Sequence, residues 1–328
     1  MHMVKQIRWG FVGVGRISRH FIKGFPYAPQ AVVSSVYARK FEKAKEFSEQ
    51  YQIPYYYDDY DKFLEEKNFD IVYVALPHQK HEEFAAKALE RGIPVLCEKP
   101  ITPTSAELKR LIALSKKKNV FLMEAMWTRY FPVTKKVQEW IDSGKIGKVK
   151  ALQGGFSFKG NANPNDRRYS LETAGGALLD LGVYVLSYFS MVMKSMPLET
   201  AALSKKLETG VDGMDGILCR YEDAIATAIF TFAFTTPSVM TIYGEDGYIR
   251  VDGHFWKPER AHLFIGAQEE IFEDIHPEDG YQYEIAAVSD YIAAGETDSK
   301  EIPLAESLAI IEWTEEIRKK WGLQYPFE

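Results

Sequence analysis

An apolar run ends in two charges at Val95-Leu96-Cys97-Glu98-Lys99-Pro100, with no turn residue between the run and the Glu-Lys pair. A lysine in that position can hydrogen-bond a substrate hydroxyl, and its charge lowers the pKa of a neighbouring acid. Glu98 can hold Lys99 or brace a cofactor, and the residues leave that choice open. Far along the chain, Ala174-Gly175-Gly176-Ala177-Leu178-Leu179-Asp180-Leu181-Gly182-Val183-Tyr184 sets polar groups among apolar ones. If Gly176 opens a helix, Gly176, Asp180 and Tyr184 fall on one face at i, i+4 and i+8. A phenol, ordinarily of pKa about 10, becomes a proton-transfer group when a cation brings it toward neutrality. Lys99 and Tyr184 are therefore the expected working pair, with Asp180 beside them. Their distance in sequence is no obstacle, because sites often form between domains.

A second set of residues suits a nucleotide. In Trp9-Gly10-Phe11-Val12-Gly13-Val14-Gly15-Arg16-Ile17-Ser18, the glycines stand at a strand-to-helix turn. Gly13 allows the tight turn, and Gly15 lets the backbone approach a pyrophosphate at a helix start that includes Arg16 and Ile17. Ser18 stands where a third glycine is usual and is small enough to keep the helix close to the sheet. Two glycines alone also fit a plain βα turn, but their place in a first βαβ unit favours the nucleotide site. About 20 residues on, where an NAD site shows a carboxylate, the chain reads Val36-Tyr37-Ala38-Arg39-Lys40. Arg39 can pair with a 2′-phosphate, so NADP is expected over NAD. After the apolar strand Ile71 to Ala75, the loop Leu76-Pro77-His78-Gln79-Lys80-His81 lies on the ligand-binding edge of the sheet. Leu76, His78 and His81 are candidate cofactor contacts, weighed against the plain reading that His81 begins a helix.

These groups need elements to position them. Short apolar runs alternate with amphipathic segments up to about Met126: strands at 7–14, 31–37, 71–75, 94–97 and 120–123, helices at 17–25, 41–51, 81–91 and 106–118. Unbroken apolar strands alternating with helices mean a doubly wound parallel sheet covered on both faces. After a helix at 132–143, strand-like patterns at 150–159, 224–234, 238–243 and 247–252 surround a long helix at 176–193, and helices at 283–294 and 304–321 close the chain. The expected architecture is α/β: an N-terminal Rossmann domain over 1–126, then an α+β substrate and dimerisation domain over 127–328 with an open, mainly antiparallel sheet. Trp127 and Arg129 at the junction, with Phe158 and Trp256 beyond it, are candidate substrate walls. The polar loop Asn161 to Arg168 is a candidate substrate rim or cofactor contact, and its residues leave that choice open.

Bulk properties narrow the function. A chain of 328 residues exceeds one usual core, and a net charge of −6 offers no general attraction to nucleic acid or an anionic membrane. No apolar run approaches the ~20 residues of a membrane span. The opening Met-His-Met reads as a cloning remnant, and no apolar signal core follows it. Cys97 and Cys219 are far apart without metal-type spacing, so no metal site and a cytoplasmic protein are expected.

Taken together, the stretches VLCEKP, FLMEAMWTRYFP and GGALLDLGVYVLSY resemble the Gfo/Idh/MocA oxidoreductases, over essentially the whole chain. Within that family the chain is similar to the branch of dimeric dihydrodiol dehydrogenase and NADP-dependent D-xylose dehydrogenase. The resemblance implies a Rossmann domain, a C-terminal α+β domain whose open sheet forms a homodimer face, and Lys99 beside the nicotinamide. Many relatives carry a catalytic histidine at the end of a D-x-G-x-H pattern; here Asp180-Leu181-Gly182-Val183-Tyr184 puts tyrosine there, as in the dihydrodiol branch. It thus implies proton transfer by Tyr184, assisted by Lys99 and Asp180, and it does not carry over an inositol-dehydrogenase substrate. The implied activity is hydride transfer between nicotinamide and a hydroxyl-bearing carbon of a sugar, polyol or diol. The rival reading is a NADP-binding sensor of the same fold without turnover, against which Lys99 and Tyr184 together argue.

Overall fold

Apolar runs become a parallel sheet in the first part of the chain. In this computed structural model, residues 6–161, 163 and 166–328 are described; the opening Met-His-Met and part of the Asn161–Arg168 loop lie outside the described residues. The strands are β1 (Ile7–Val12), β2 (Ala31–Tyr37), β3 (Tyr55–Tyr57), β4 (Ile71–Val74), β5 (Val95–Glu98) and β6 (Leu122–Ala125). Among the described residues they form a six-stranded sheet in the order β3-β2-β1-β4-β5-β6, every pair parallel. Each residue of β4, β5 and β6 is buried, because helices cover both faces. Strand order reverses between β1 and β4, which opens a crevice at their carboxyl ends.

The connecting helices are α1 (Arg16–Phe21), α2 (Phe41–Tyr51), α3 (Tyr60–Glu66), α4 (His81–Glu90) and α5 (Ser105–Lys118). The helix expected over 17–25 is shorter: α1 passes into a 3₁₀ turn, Ile22–Tyr27, that contains Pro26. Proline has no N–H to continue an α-helical ladder. Strand β3 and helix α3 escape the sequence pattern because both are only a few residues long.

By its contacts the chain divides into two compact units, one running to Trp127 together with Pro277–Ala305, the other Thr128–His276 together with Glu306–Glu328. The late helix α8 (Gln282–Ala294) therefore packs in the first unit, where Trp9 Nε1 donates to Ser289 Oγ at 3.1 Å and Tyr281 stacks on Trp127 at 4.0 Å.

The second unit carries helices α6 (Pro132–Asp142), α7 (Val183–Met193) and most of α9 (Leu304–Lys320). Its strands are β7 (Val149–Ser157), β8 (Glu199–Lys206), β9 (Asp212–Arg220), β10 (Ile225–Thr231), β11 (Met240–Gly244), β12 (Tyr248–Val251), β13 (Arg260–Ile265) and β14 (Gln268–Glu273). Among the described residues they form one sheet, β14-β13-β12-β11-β7-β10-β9-β8, in which β7 and β10 are parallel and the other neighbours antiparallel. Helix α7 is buried from Val183 to Val192 and packs on β7. Sequence reading finds no run of membrane-spanning length; among the described residues Leu171–Met193 does pass that test of length and composition, but 94% of it is buried, so it is a core helix. The sheet also presents exposed Leu203, Leu218, Ile225 and Ile229, with a trough of about 660 Å³ lined by Gly154, Gly155, Ala201, Gly216 and Ala228 among others.

Candidate active site

Three loops leave the carboxyl ends of β1, β4 and β5, and main-chain contacts tie them together. Gly13 has φ +106°, donates its N–H to the Tyr37 carbonyl at 2.9 Å, and would place a Cβ 2.5 Å from the Ala75 carbonyl oxygen. No other residue fits there. Ser18 does more than stay small: its hydroxyl donates to the Gly13 carbonyl at 2.9 Å and closes the turn. Gly15 is exposed with nothing within 4 Å of a would-be Cβ, and Arg16 beside it is exposed as well. That open backbone at the start of α1, with Ile17 half-buried behind it, suits a pyrophosphate. Arg39 is exposed just past the end of β2.

His81 is buried and joins the next two loops. Its Nε2 lies 2.8 Å from the Leu76 carbonyl oxygen and its Nδ1 lies 2.9 Å from that of Pro100. His78, also buried, sits edge-on to it at 5.7 Å. The half-buried Lys99 follows β5, and its peptide bond to Pro100 is cis.

Carboxylates hold that turn from both sides. Glu98 Oε1 accepts from the Tyr73 hydroxyl at 2.5 Å and Oε2 from the Lys99 N–H at 3.2 Å, while Glu124 Oε1 accepts from the Ile101 N–H at 3.0 Å. Glu98 thus braces the main chain on which Lys99 stands. A third carboxyl, Glu284 of α8, is buried with Oε1 lacking a hydrogen-bond partner among the described residues. Burial first, then the charges of Glu98 and Glu124, pushes it well above the usual carboxyl range. Burial raises the Tyr73 phenol in the same way.

Glu284 therefore holds its proton to higher pH in the folded chain than in the unfolded one, so this group lowers stability increasingly as pH rises above the ordinary carboxyl range. Glu284→Gln should melt higher than the parent, by a margin that grows as pH rises above the ordinary carboxyl range. A margin independent of pH in thermal melts would show that Glu284 is ionised in the folded protein.

In the second unit Tyr184 lies in the first turn of α7, 8% exposed, with its ring 5.6 Å from Phe156. Phe156 stacks on Trp256 at 3.5 Å, and the Trp256 carbonyl accepts from the Thr128 hydroxyl at 2.7 Å. Asp180 belongs to a π turn, Leu178–Gly182, and its Oδ1 accepts from Arg167 Nη2 at 3.3 Å. Gly176, with φ +122°, stands before the helix rather than opening it. Because a π turn holds more residues than an α turn, the plain i, i+4, i+8 alignment of Gly176, Asp180 and Tyr184 does not describe this segment.

The remaining candidates divide. Phe158 lies under the Arg168 guanidinium at 5.3 Å and beside Phe232. Trp127 is buried on Tyr281. Arg129 is 3% exposed and donates to the Ser187 hydroxyl and carbonyl and to Glu306 Oε1 at 3.0, 2.7 and 2.5 Å, so it links α7 to α9. Sequence reasoning passed over Tyr73, Glu124, Phe156 and Arg167. Tyr73 is the polar member of an apolar strand, Glu124 lies inside the FLMEAMW stretch, and Arg167 belongs to the polar loop read as a substrate rim or cofactor contact; Phe156 carries no signal of its own.

A parallel sheet in this order, with a glycine turn at its reversal point, defines a dinucleotide-binding enzyme domain. Residues 7–126 match the model of the oxidoreductase family with NAD-binding Rossmann fold, and residues 134–250 match the GFO/IDH/MocA C-terminal domain. The chain belongs to the Gfo/Idh/MocA family of oxidoreductases. It is 32% identical to the trans-1,2-dihydrobenzene-1,2-diol dehydrogenase of Xenopus laevis, over 97% of this chain and 99% of that one. Among solved structures it superposes on a 3-ketoreductase from Actinomadura kijaniata, in complex with NADP and TDP-benzene, with a TM-score of 0.84 and 25% identity over 96% of this chain and 98% of the other. The aldose-aldose oxidoreductase of Caulobacter crescentus shares the fold with a TM-score of 0.88, at 21% identity over 97% and 99%.

Proposed function

We propose that the protein is a NADP-dependent dehydrogenase acting on a hydroxyl-bearing carbon of an aldose or a trans-dihydrodiol. The observation that carries this reading is Lys99, held at the carboxyl edge of the sheet by a turn whose main chain is braced by Glu98 and Glu124. Support for the substrate class comes from the names of the Xenopus laevis and Caulobacter crescentus proteins. Aromatic faces such as Trp256 suit either kind of ring.

The nucleotide would lie along Gly13, Gly15, Arg16, Ile17, Arg39, Leu76, His78 and His81, and supplies the hydride acceptor or donor when bound. Lys99 holds the substrate hydroxyl and favours the ionised form of a nearby phenol. Tyr184 takes the hydroxyl proton in the oxidative direction and returns it in the other. Asp180, itself held by Arg167, orients the tyrosine. Arg129 acts indirectly, by fixing α7. Trp127 does so by fixing Tyr281 in the first unit. Phe158 lines the same end of β7 as Phe156.

Arg39 decides the cofactor in this reading. Its guanidinium matches a 2′-phosphate in bidentate fashion. Arg39→Ala should raise KM for NADP far more than KM for NAD; equal effects in initial-rate assays would remove NADP specificity from the account. The activity itself is tested by following nicotinamide reduction with a panel of aldoses and trans-dihydrodiols at alkaline pH. Turnover of one of the two classes is the expected result, and cofactor binding without turnover would favour a sensor. We also place a homodimer contact on the exposed apolar side of the second sheet, where Leu203, Leu218 and Ile229 meet the trough.

A further inference from the structure

Strand β9 opens with two carboxyl groups that the proposed chemistry does not use. Asp212 and Asp215 are 0% and 2% exposed. Asp212 Oδ2 accepts the Leu178 N–H at 2.6 Å, at the first residue of the π turn that carries Asp180. The same carboxyl fills the space over Gly176: a Cβ there would fall 2.0 Å from Asp212 Oδ1, at a backbone φ of +122°. One residue earlier, the Gly175 carbonyl accepts from the Tyr325 hydroxyl at 3.0 Å. The stretch 175–178 is thus bonded at Gly175 and Leu178 and closely covered at Gly176, just before the segment that ends in Tyr184.

The carboxyls of Asp212 and Asp215 are both buried and are close enough on β9 to act on each other's proton affinity. Two ionised carboxylates are both acceptors, so they bond to each other only when one carries a proton. Asp212 Oδ1 and both Asp215 oxygens form no hydrogen bond of good geometry among the described residues, and the Ser204 hydroxyl stands beside Asp215 as a candidate donor. Around the pair stand Ser204 of β8, Tyr325 of the C-terminal segment and Arg318 of α9. Arg318 is already engaged, with Nη1 2.6 Å from Glu328 Oε1 and its guanidinium 4.6 Å over the Tyr325 ring.

We propose that Asp212 is a positioning residue for Tyr184: paired with Asp215 through one shared proton, its carboxyl seats the turn from which α7 begins. Burial, then the charge of Asp212, pushes Asp215 up to about 9, which keeps the pair protonated across the neutral range. As pH rises through that value the proton leaves, two charges meet in a dry pocket, and the seat loosens.

The proposal rests on Tyr184 being the proton-transfer group, so its test includes a readout independent of turnover. Asp212→Leu should lower kcat by about 10²-fold, the typical cost of a misplaced catalytic group, while the cofactor dissociation constant stays unchanged. Its Leu178 amide should lose protection in hydrogen exchange. Asp212→Asn retains an acceptor for Leu178 and offers its own N–H₂ to Asp215, so it should recover most of kcat and the amide protection. It should also lose the alkaline limb near pH 9 that the parent shows in kcat. Equal losses in the two variants, or a Leu178 amide protected in Asp212→Leu, would overturn the proposal. If Asp212→Leu does not fold, an alkaline limb that persists in Asp212→Asn overturns it instead. A Tyr184→Phe variant with full turnover would refute the role of Tyr184 and leave the exchange result to decide the seat.

Discussion

Tyr184→Phe should lower kcat by about 10²–10⁴-fold, the usual contribution of a positioned acid or base, and leave cofactor binding within about threefold of the parent. The substitution removes one oxygen. A phenyl ring keeps its place beside Phe156, 5.6 Å away, so α7 and its packing are preserved. Tyr184 is 8% exposed, and the ring adds no volume to a well-filled site. The loss should therefore fall on kcat and kcat/KM equally, which marks an interaction made in the transition state. Initial rates and fluorescence titration with NADPH measure the two quantities. Turnover within about threefold of the parent would mean that another group moves the proton.

Lys99→Met removes the ammonium and keeps most of the stem. The turn itself should survive, because Glu98 and Glu124 grip the N–H groups of Lys99 and Ile101 rather than depending on the Lys99 side chain alone. Loss of the cation should again cost about 10²–10⁴-fold in kcat. On the proposed reading, in which Lys99 acts on Tyr184, the loss should also raise the pKa of that phenol, since a positive charge favours phenolate. The residual activity should thus peak at higher pH than that of the parent. A pH profile unchanged in position, even with low activity, would separate Lys99 from Tyr184 and leave the lysine a purely steric role.

The parallel sheet and its ligand edge are legible in the sequence because their signals are strong and local. IVYVA and VLCE are unbroken apolar runs, and only a strand buried on both faces tolerates such runs. Once those strands are parallel, Lys99 and the glycine turn must share one edge. Other features depend on partners that no local pattern names. Nothing local to helix α8 says that Tyr281, just before it, stacks on Trp127 or that Glu284 is buried where the charges of Glu98 and Glu124 act on it. Strands β8 and β9 leave no clear pattern in the sequence because exposed Leu203 and Leu218 blur the alternation of apolar and polar positions. Strands β13 and β14 follow a short aromatic loop and are similarly mixed.

The candidate site shows the same division. Gly13, Lys99 and Tyr184 stand out by type and place, whereas the groups that hold them do not. Glu98 could be named as important but not assigned, because its partners, the Tyr73 hydroxyl and the Lys99 N–H, come from a neighbouring strand and the main chain. The π turn at Leu178–Gly182 shifts the helical register without any sequence mark, so the one-face count from Gly176 fails there. Nothing local to Arg129 in the sequence names Ser187 and Glu306, the partners its guanidinium finds in the structure.

The central claim is that this chain moves hydride from a carbon bearing a hydroxyl to the nicotinamide of NADP. It is tested most directly by incubating the protein with NADP and an aldose or trans-dihydrodiol deuterated at the reacting carbon, then reading the reduced nicotinamide by NMR. The account predicts deuterium at C4 of the nicotinamide, on one face, in step with ketone or lactone formation. Product formed without deuterium at C4, or no product from either substrate class while NADP still binds, would contradict it.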